Sequence, residues 1–156
     1  MGVGKTTVCQ ILKRKLYRSV FLDGDRCWDM NPFQVTDETK AMVIDNICCL
    51  LNNFIKCSAF DHVIFCWVMH SQSIVDEILS RVDTSGCLVK NISLVCEKNE
   101  LVRRLNGDIN NGLRLSGIID RSLKYLPLYS SLNTLKIDTT RFSAEQVSEL
   151  ILRLKL

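Results

Sequence analysis

The chain opens Met1-Gly2-Val3-Gly4-Lys5-Thr6-Thr7, and the reading of this stretch decides the fold. Gly4-Lys5-Thr6 is the closing half of the phosphate-binding pattern G-x-x-x-x-G-K-[ST], and Gly2 and Val3 fill the two positions before it. The opening glycine of the pattern would fall two residues before Met1, and the strand that feeds such a loop would lie earlier still. Backbone N–H groups of a glycine-rich loop turn inward and bind phosphate oxygens, with a helix N-terminus behind them. In that pattern Lys5 reaches the β- and γ-phosphates and the Thr6 hydroxyl ligates Mg²⁺. Gly2, Val3, Gly4, Lys5, Thr6 and Thr7 are therefore the expected nucleotide-binding residues.

The residues after the loop suit that reading. Thr6 to Leu16 has helical spacing, with Val8, Ile11, Leu12 and Leu16 on one face and Lys13, Arg14 and Lys15 on the other. Ser19-Val20-Phe21-Leu22 reads as a buried strand ending in Asp23-Gly24-Asp25. Two carboxylates two residues apart beside a phosphate loop suit different tasks: one can hold Mg²⁺ through water, and the other can accept the proton of an attacking hydroxyl. The same three residues also make an ordinary solvated turn.

Further along, Thr36 and Thr39 cap a long helix from about Asp37 to Lys56, with Met42, Ile44, Ile47, Leu50, Leu51, Phe54 and Ile55 available for burial. His62 to Met69 is a continuous apolar, β-branched and aromatic run, a central strand. Gln72 to Val82 is helical, Ile92 to Cys96 a strand, and Lys98 to about Asn110 a helix closed by Asn110-Asn111-Gly112. Arg114 to Tyr125 is predicted helical up to Pro127, Thr134 to Asp138 is the last strand, and Ser143-Ala144-Glu145-Gln146 is a capping box for a terminal helix. Strands alternating with helices predict an α/β fold with a mostly parallel sheet and helices on both faces, a three-layer α/β/α arrangement. Ligands bind at the C-terminal ends of strands in such sheets. The glycine loop and the two acids are expected to share that edge.

The 156 residues predict one domain, 1–156, and a net charge of +3 is too small to argue for nucleic acid or membrane partners. No apolar run approaches the ~18 residues of a membrane span, and neither a span nor a secretory leader is expected. The eight cysteines form no C-x-x-C pair, and His62 and His70 lie at no metal-like spacing. Reduced core thiols in the cytoplasm are expected, not a zinc site or disulfides.

With these residues in view, the chain resembles the small P-loop kinases that phosphorylate hydroxyls of small molecules. These are the shikimate, gluconate and adenylylsulfate kinases and the zeta-toxin and chloramphenicol phosphotransferase group. It is most similar to uncharacterised bacterial ATP-binding proteins that include tunicamycin-resistance-like proteins. The likeness rests on Gly4-Lys5-Thr6-Thr7, on Asp23-Gly24-Asp25, on Leu101-Val102-Arg103-Arg104-Leu105 and on Pro127-Leu128-Tyr129 with Ile137-Asp138-Thr139. It implies a P-loop NTPase fold whose first strand is missing from the chain, the cofactors ATP and Mg²⁺, and a lid over about 104–120. Two departures count against shikimate itself. Trp67-Val68-Met69-His70 stands where shikimate kinases have a glycine cluster, and Tyr125 stands where they have an arginine.

The expected function is ATP-dependent phosphoryl transfer to a hydroxyl of a small molecule, by a monomer or homodimer. Lys5, Asp25, Arg104 and Arg114 carry the transfer, and Thr6 and Asp23 hold the metal. Cations must neutralise charge developing on a transferred phosphoryl, and Arg103, Arg104, Arg114 and Arg121 are the candidates; Arg104 and Arg114 are equally at home on a solvated helix face, and Arg103 and Arg121 fit one better. Trp28, Trp67, Met69 and His70 are weaker candidates for a substrate pocket, and Asp138 for the base site. The alternative is a truncated, inactive protein that binds nucleotide weakly or not at all. A guanine-nucleotide switch is disfavoured because no N-K-x-D motif is present.

Overall fold

A computed structural model describes residues 1–154. The chain divides into two compact units. Met1–Val8, His70–Gln72 and Lys90–Leu156 form the first, and Cys9–Met69 with Ser73–Val89 the second.

Helix α1, Lys5–Lys15, starts in the first unit and continues into the second. Its first turn closes when the Val8 amide donates to the Gly4 carbonyl at 2.9 Å. Gly4 has φ +90° and Gly2 φ +79°, backbone that side-chain-bearing residues rarely adopt.

In the second unit, strands β1 (Ser19–Asp23) and β2 (His62–Cys66) pair in parallel, from Ser19 opposite His62 to Asp23 opposite Cys66. The sequence predicted β2 to run on to Met69. The ladder stops at Cys66 because its partner runs out: after Asp23 the chain enters a 3-10 helix, Gly24–Trp28. Helix α2, Asp37–Lys56, carries a capping box in which Thr36 and Thr39 bond each other's backbone. It buries Val43, Ile44, Ile47, Cys48 and Leu51 against Leu22 and against Ile78 and Val82. Met42 is exposed, one step off that stripe. Ile78 lies in helix α3, Gln72–Arg81.

In the first unit, strands β3 (Ile92–Val95) and β4 (Leu135–Asp138) pair in parallel, from Ile92 opposite Leu135 to Val95 opposite Asp138. Helix α4 spans Lys98–Asn110, α5 Ile118–Tyr125 and α6 Ala144–Arg153. Ser143 and Gln146 form the predicted capping box at α6. The helix expected from Arg114 begins four residues later, at Ile118. Gly112, at φ +68°, ends α4, and the Leu113 amide turns back to the Asp108 carbonyl. Leu113 and Leu115 are then left exposed, with no apolar face to anchor a helical turn.

Among the described residues no helix is long and apolar enough to cross a membrane, and no cluster of three metal-ligating side chains occurs. All eight cysteines are free thiols. Cys48, Cys66 and Cys96 are buried as expected, whereas Cys49, Cys57 and Cys87 are exposed. Burial pushes the thiols of Cys27, Cys48 and Cys96 above the usual range, which favours their protonated form.

Candidate nucleotide site

Helix α4 builds the site. Its apolar face carries Leu101 and Leu105, 1% and 0% exposed. Gly2 lies on them so closely that a Cβ there would come within 2.8 Å of Leu105 Cδ2 and 2.9 Å of Leu101 Cδ1. The glycine loop is thus seated directly on the α4 core contacts. The next face of α4 turns Glu100, Arg103 and Arg104 toward a cavity of about 510 Å³. Gly2, Val3, Gly4, Thr7 and Val8 form its second wall, and the segment Thr139 to Ala144, after β4, forms its third with Val147 of α6. That volume lies in the range of small-molecule and cofactor sites.

The walls are tied together by hydrogen bonds. Arg104 donates Nε to Glu100 Oε1 at 2.7 Å, Nη1 to Thr139 Oγ1 at 3.0 Å and Nη2 to the Thr139 carbonyl at 2.6 Å. Arg103 makes a forked pair with Glu100, Nε to Oε2 at 2.7 Å and Nη2 to Oε1 at 2.8 Å. At the start of α4, the Glu97 amide donates to Thr140 Oγ1 at 2.9 Å. The Asp138 carboxylate accepts the hydroxyl and amide of Thr140, which hold it below the usual carboxylate range.

Glu100 takes its charge state from the same network. Hydrogen bonds first from Arg103 and then from Arg104 hold its carboxyl at about 2, below its ordinary 4.5. A carboxylate depressed on folding contributes stability that is fully present above its unfolded value and lost as pH falls through the folded one. The melting temperature of the wild type should therefore drop more steeply between about pH 4.5 and pH 2 than that of Glu100→Gln. Parallel slopes in a pH series of thermal melts would exclude that contribution.

Of the other predicted residues, Lys5 is half-buried and Thr6 and Thr7 are exposed, all in the first turn of α1. Asp23 and Asp25 lie in the second unit. Asp23 caps the 3-10 helix by accepting the Asp25 amide at 3.2 Å, and Asp25 is exposed in its first turn. Buried Gly24 between them has no room for a side chain, since a Cβ would come within 2.6 Å of Trp67 Cγ. Trp67 and Met69 pack on the core of that unit, and Trp28 packs at 6.2 Å from Trp67, its indole N–H on the Gln34 carbonyl. His62 Nδ1 lies 3.0 Å from the Tyr17 carbonyl, a structural contact.

In the first unit, Arg114 donates to Asp108 at 2.9 Å, across the irregular segment between α4 and α5. His70 stacks on Tyr125 at 4.2 Å, with Arg121 over the same ring at 5.9 Å. His70 Nδ1 and Ser122 Oγ are buried without a hydrogen-bond partner. Sequence reasoning missed Glu100, Thr139, Thr140 and Arg141 as cavity residues. The nearest signal was the strand end at Ile137-Asp138-Thr139, noted only for its resemblance.

Residues 1–119 match the family model described as AAA domain. The chain belongs to that family. This AAA domain also has the fold of several solved structures. It is 20% identical to the tunicamycin resistance protein of Deinococcus radiodurans, with a TM-score of 0.70 over 99% of this chain and 92% of that one. It is 19% identical to the protein APE1195, with a TM-score of 0.65 over 97% and 87%. A candidate kinase from Chloroflexus aurantiacus J-10-fl is 17% identical, with a TM-score of 0.56 over 97% and 88%. At these identities the likeness is one of fold. Among curated proteins no sequence matches. Family and fold together make the AAA domain an α/β P-loop NTPase.

Proposed function

We propose that the protein is an ATP-dependent phosphotransferase acting on a hydroxyl of a small molecule. The observation that carries this reading is the shared cavity: the glycine loop forms one wall of the same space that α4 and the segment after β4 enclose. Phosphates on the loop would leave the nucleoside in that space. The N-terminal end of the α1 dipole is a standing attraction for anions.

In this reading Gly2 to Thr7 hold the triphosphate, and Lys5 carries positive charge to its outer phosphates. The oxygen donors on hand, the Thr6 hydroxyl and the Asp23 carboxylate, suit Mg²⁺, which takes few protein ligands beside substrate phosphates. Bound there, Mg²⁺ would offset phosphate charge. Asp25 accepts the proton of the acceptor hydroxyl. The roles of Asp23 and Asp25 rest on carboxylate chemistry and on their place in sequence, at the end of the first strand after the loop. Arg114 belongs to a lid over 104–120. Arg104, held by Glu100 and Thr139, faces the cavity and carries charge toward the transferred phosphoryl.

Isothermal titration with ATP tests the reading, with Mg²⁺ and with EDTA. Saturable binding that weakens in EDTA is expected. ADP release is then measured with sugars, nucleosides and hydroxylated antibiotics as acceptors, and the D. radiodurans relative adds tunicamycin to that panel. A folded chain that shows no heat with ATP would be the inactive alternative.

A further inference from the structure

Thr139 occupies an unusual position. It is 2% exposed, yet its hydroxyl lies among three other segments of the chain. Oγ1 accepts from Arg104 Nη1 at 3.0 Å, and its own proton lies between two carbonyls, Val95 at 3.1 Å and Val3 at 3.5 Å. Val95 ends β3, and Val3 is the residue between the two loop glycines. The Val95 carbonyl already receives the Thr139 amide at 2.7 Å. A hydroxyl has one proton to donate. The Val95 carbonyl is the nearer of its two acceptors and is already served by an amide, and the Val3 carbonyl is the farther one and belongs to the loop itself.

The remaining contacts fix Thr139 against sliding. Arg104 holds its carbonyl as well as its hydroxyl, and Arg104 is itself held by Glu100. A rigid, buried hydroxyl is thereby presented to the backbone of a loop that contains two glycines at positive φ. Such a loop has little conformational preference of its own.

We propose that Thr139, clamped by Arg104, is a positioning residue that sets the phosphate-binding loop through the Val3 carbonyl. The proposal rests on the reading of that loop as a phosphate site. Thr139 acts through Val3. Nucleotide affinity should therefore depend on its hydroxyl in proportion to what the loop binds. Ligands that use only the cavity should be less sensitive.

The test compares Thr139→Val, which keeps the shape and removes the hydroxyl, with Thr139→Ser, which keeps it. Calorimetry with ATP and with adenosine gives the split. Thr139→Val should bind ATP roughly tenfold more weakly, the usual scale for one hydrogen bond, and adenosine within about twofold of wild type. Thr139→Ser should bind both like wild type. Equal losses for ATP and adenosine would make Thr139 a wall of the cavity only and overturn the proposal, as would an unchanged ATP affinity in Thr139→Val.

Backbone amide NMR without nucleotide gives a second readout. Gly2, Val3 and Gly4 resonances should move in Thr139→Val and stay put in Thr139→Ser, and unmoved loop amides in both would also overturn the proposal. Failure of the wild type to bind ATP would sink the functional reading, and the NMR comparison would still decide the positioning role. If Thr139→Val does not fold, Thr139→Cys makes the same comparison with a weak thiol donor.

Discussion

Lys5→Ala should lower ATP affinity by about 10- to 100-fold and phosphoryl transfer by a further factor on the order of 10², the scale of charge-assisted bonds and of transition-state charge stabilisation. The expectation comes from where Lys5 stands. It is the first residue of α1, whose first turn holds no acidic residue. A cation at a helix N-terminus opposes the helix dipole, so Lys5 is poorly placed for stability. It is well placed to meet an anion drawn to the same amides. Removing it should weaken nucleotide binding by far more than it lowers the melting temperature. Few substitutions separate function from folding this cleanly, because most losses of affinity come with losses of packing. Titration of the variant with ATP and Mg²⁺, beside a thermal melt, measures both. Wild-type affinity for ATP in Lys5→Ala would end the case for a phosphate site at this loop.

The parts of the chain legible in sequence are those whose physics is local. The caps at Thr36 and Ser143 are decided within four residues, and both form as expected. The glycine loop was legible because a phosphate cradle needs particular residues at fixed spacing. What sequence did not disclose is tertiary. Arg104 read either as a cation for the transferred phosphoryl or as part of a solvated helix face, and nothing within a helical turn announces its contact with Thr139, which lies 35 residues on. Its partner Glu100 is four residues away and could have been suspected from the i,i+4 rule. The end of β2 was overextended for a similar reason. The run from His62 to Met69 is apolar throughout, but a strand lasts only as long as its partner, and β1 ends at Asp23. The irregular segment before α5 turned on Gly112, whose positive φ outweighs the apolar spacing of the residues after it.

Gly2→Ala should be the most damaging small substitution in the first unit. Two independent costs meet at one methyl group. At φ +79° an L-residue suffers a steric penalty of roughly 1–2 kcal/mol that glycine avoids. The new Cβ would also stand 2.8 Å from Leu105 Cδ2 and 3.0 Å from Leu105 Cγ, closer than carbon atoms pack. Leu101 and Leu105 are the most buried residues of α4, so neither can swing into solvent. Forcing a methyl group into such packing costs typically about 1–3 kcal/mol. Together these approach roughly 2–5 kcal/mol against a typical total of about 5–15. At this chain length that corresponds to a fall in melting temperature of about 4–20 °C. The protein has one other way to relieve the clash, which is to lift the loop off α4. Stability would then be largely kept and ATP affinity lost, because the amides would no longer face one phosphate. Calorimetry and thermal melting on the same sample distinguish the two routes, and a variant with both properties intact would refute the seating of Gly2 on Leu101 and Leu105. Leu105→Ala opens space under the methyl group at a cost of its own of about 2–5 kcal/mol. The double variant should therefore lose less than the sum of the two single ones, since residues in contact couple. Simple additivity would mean that Gly2 and Leu105 do not touch.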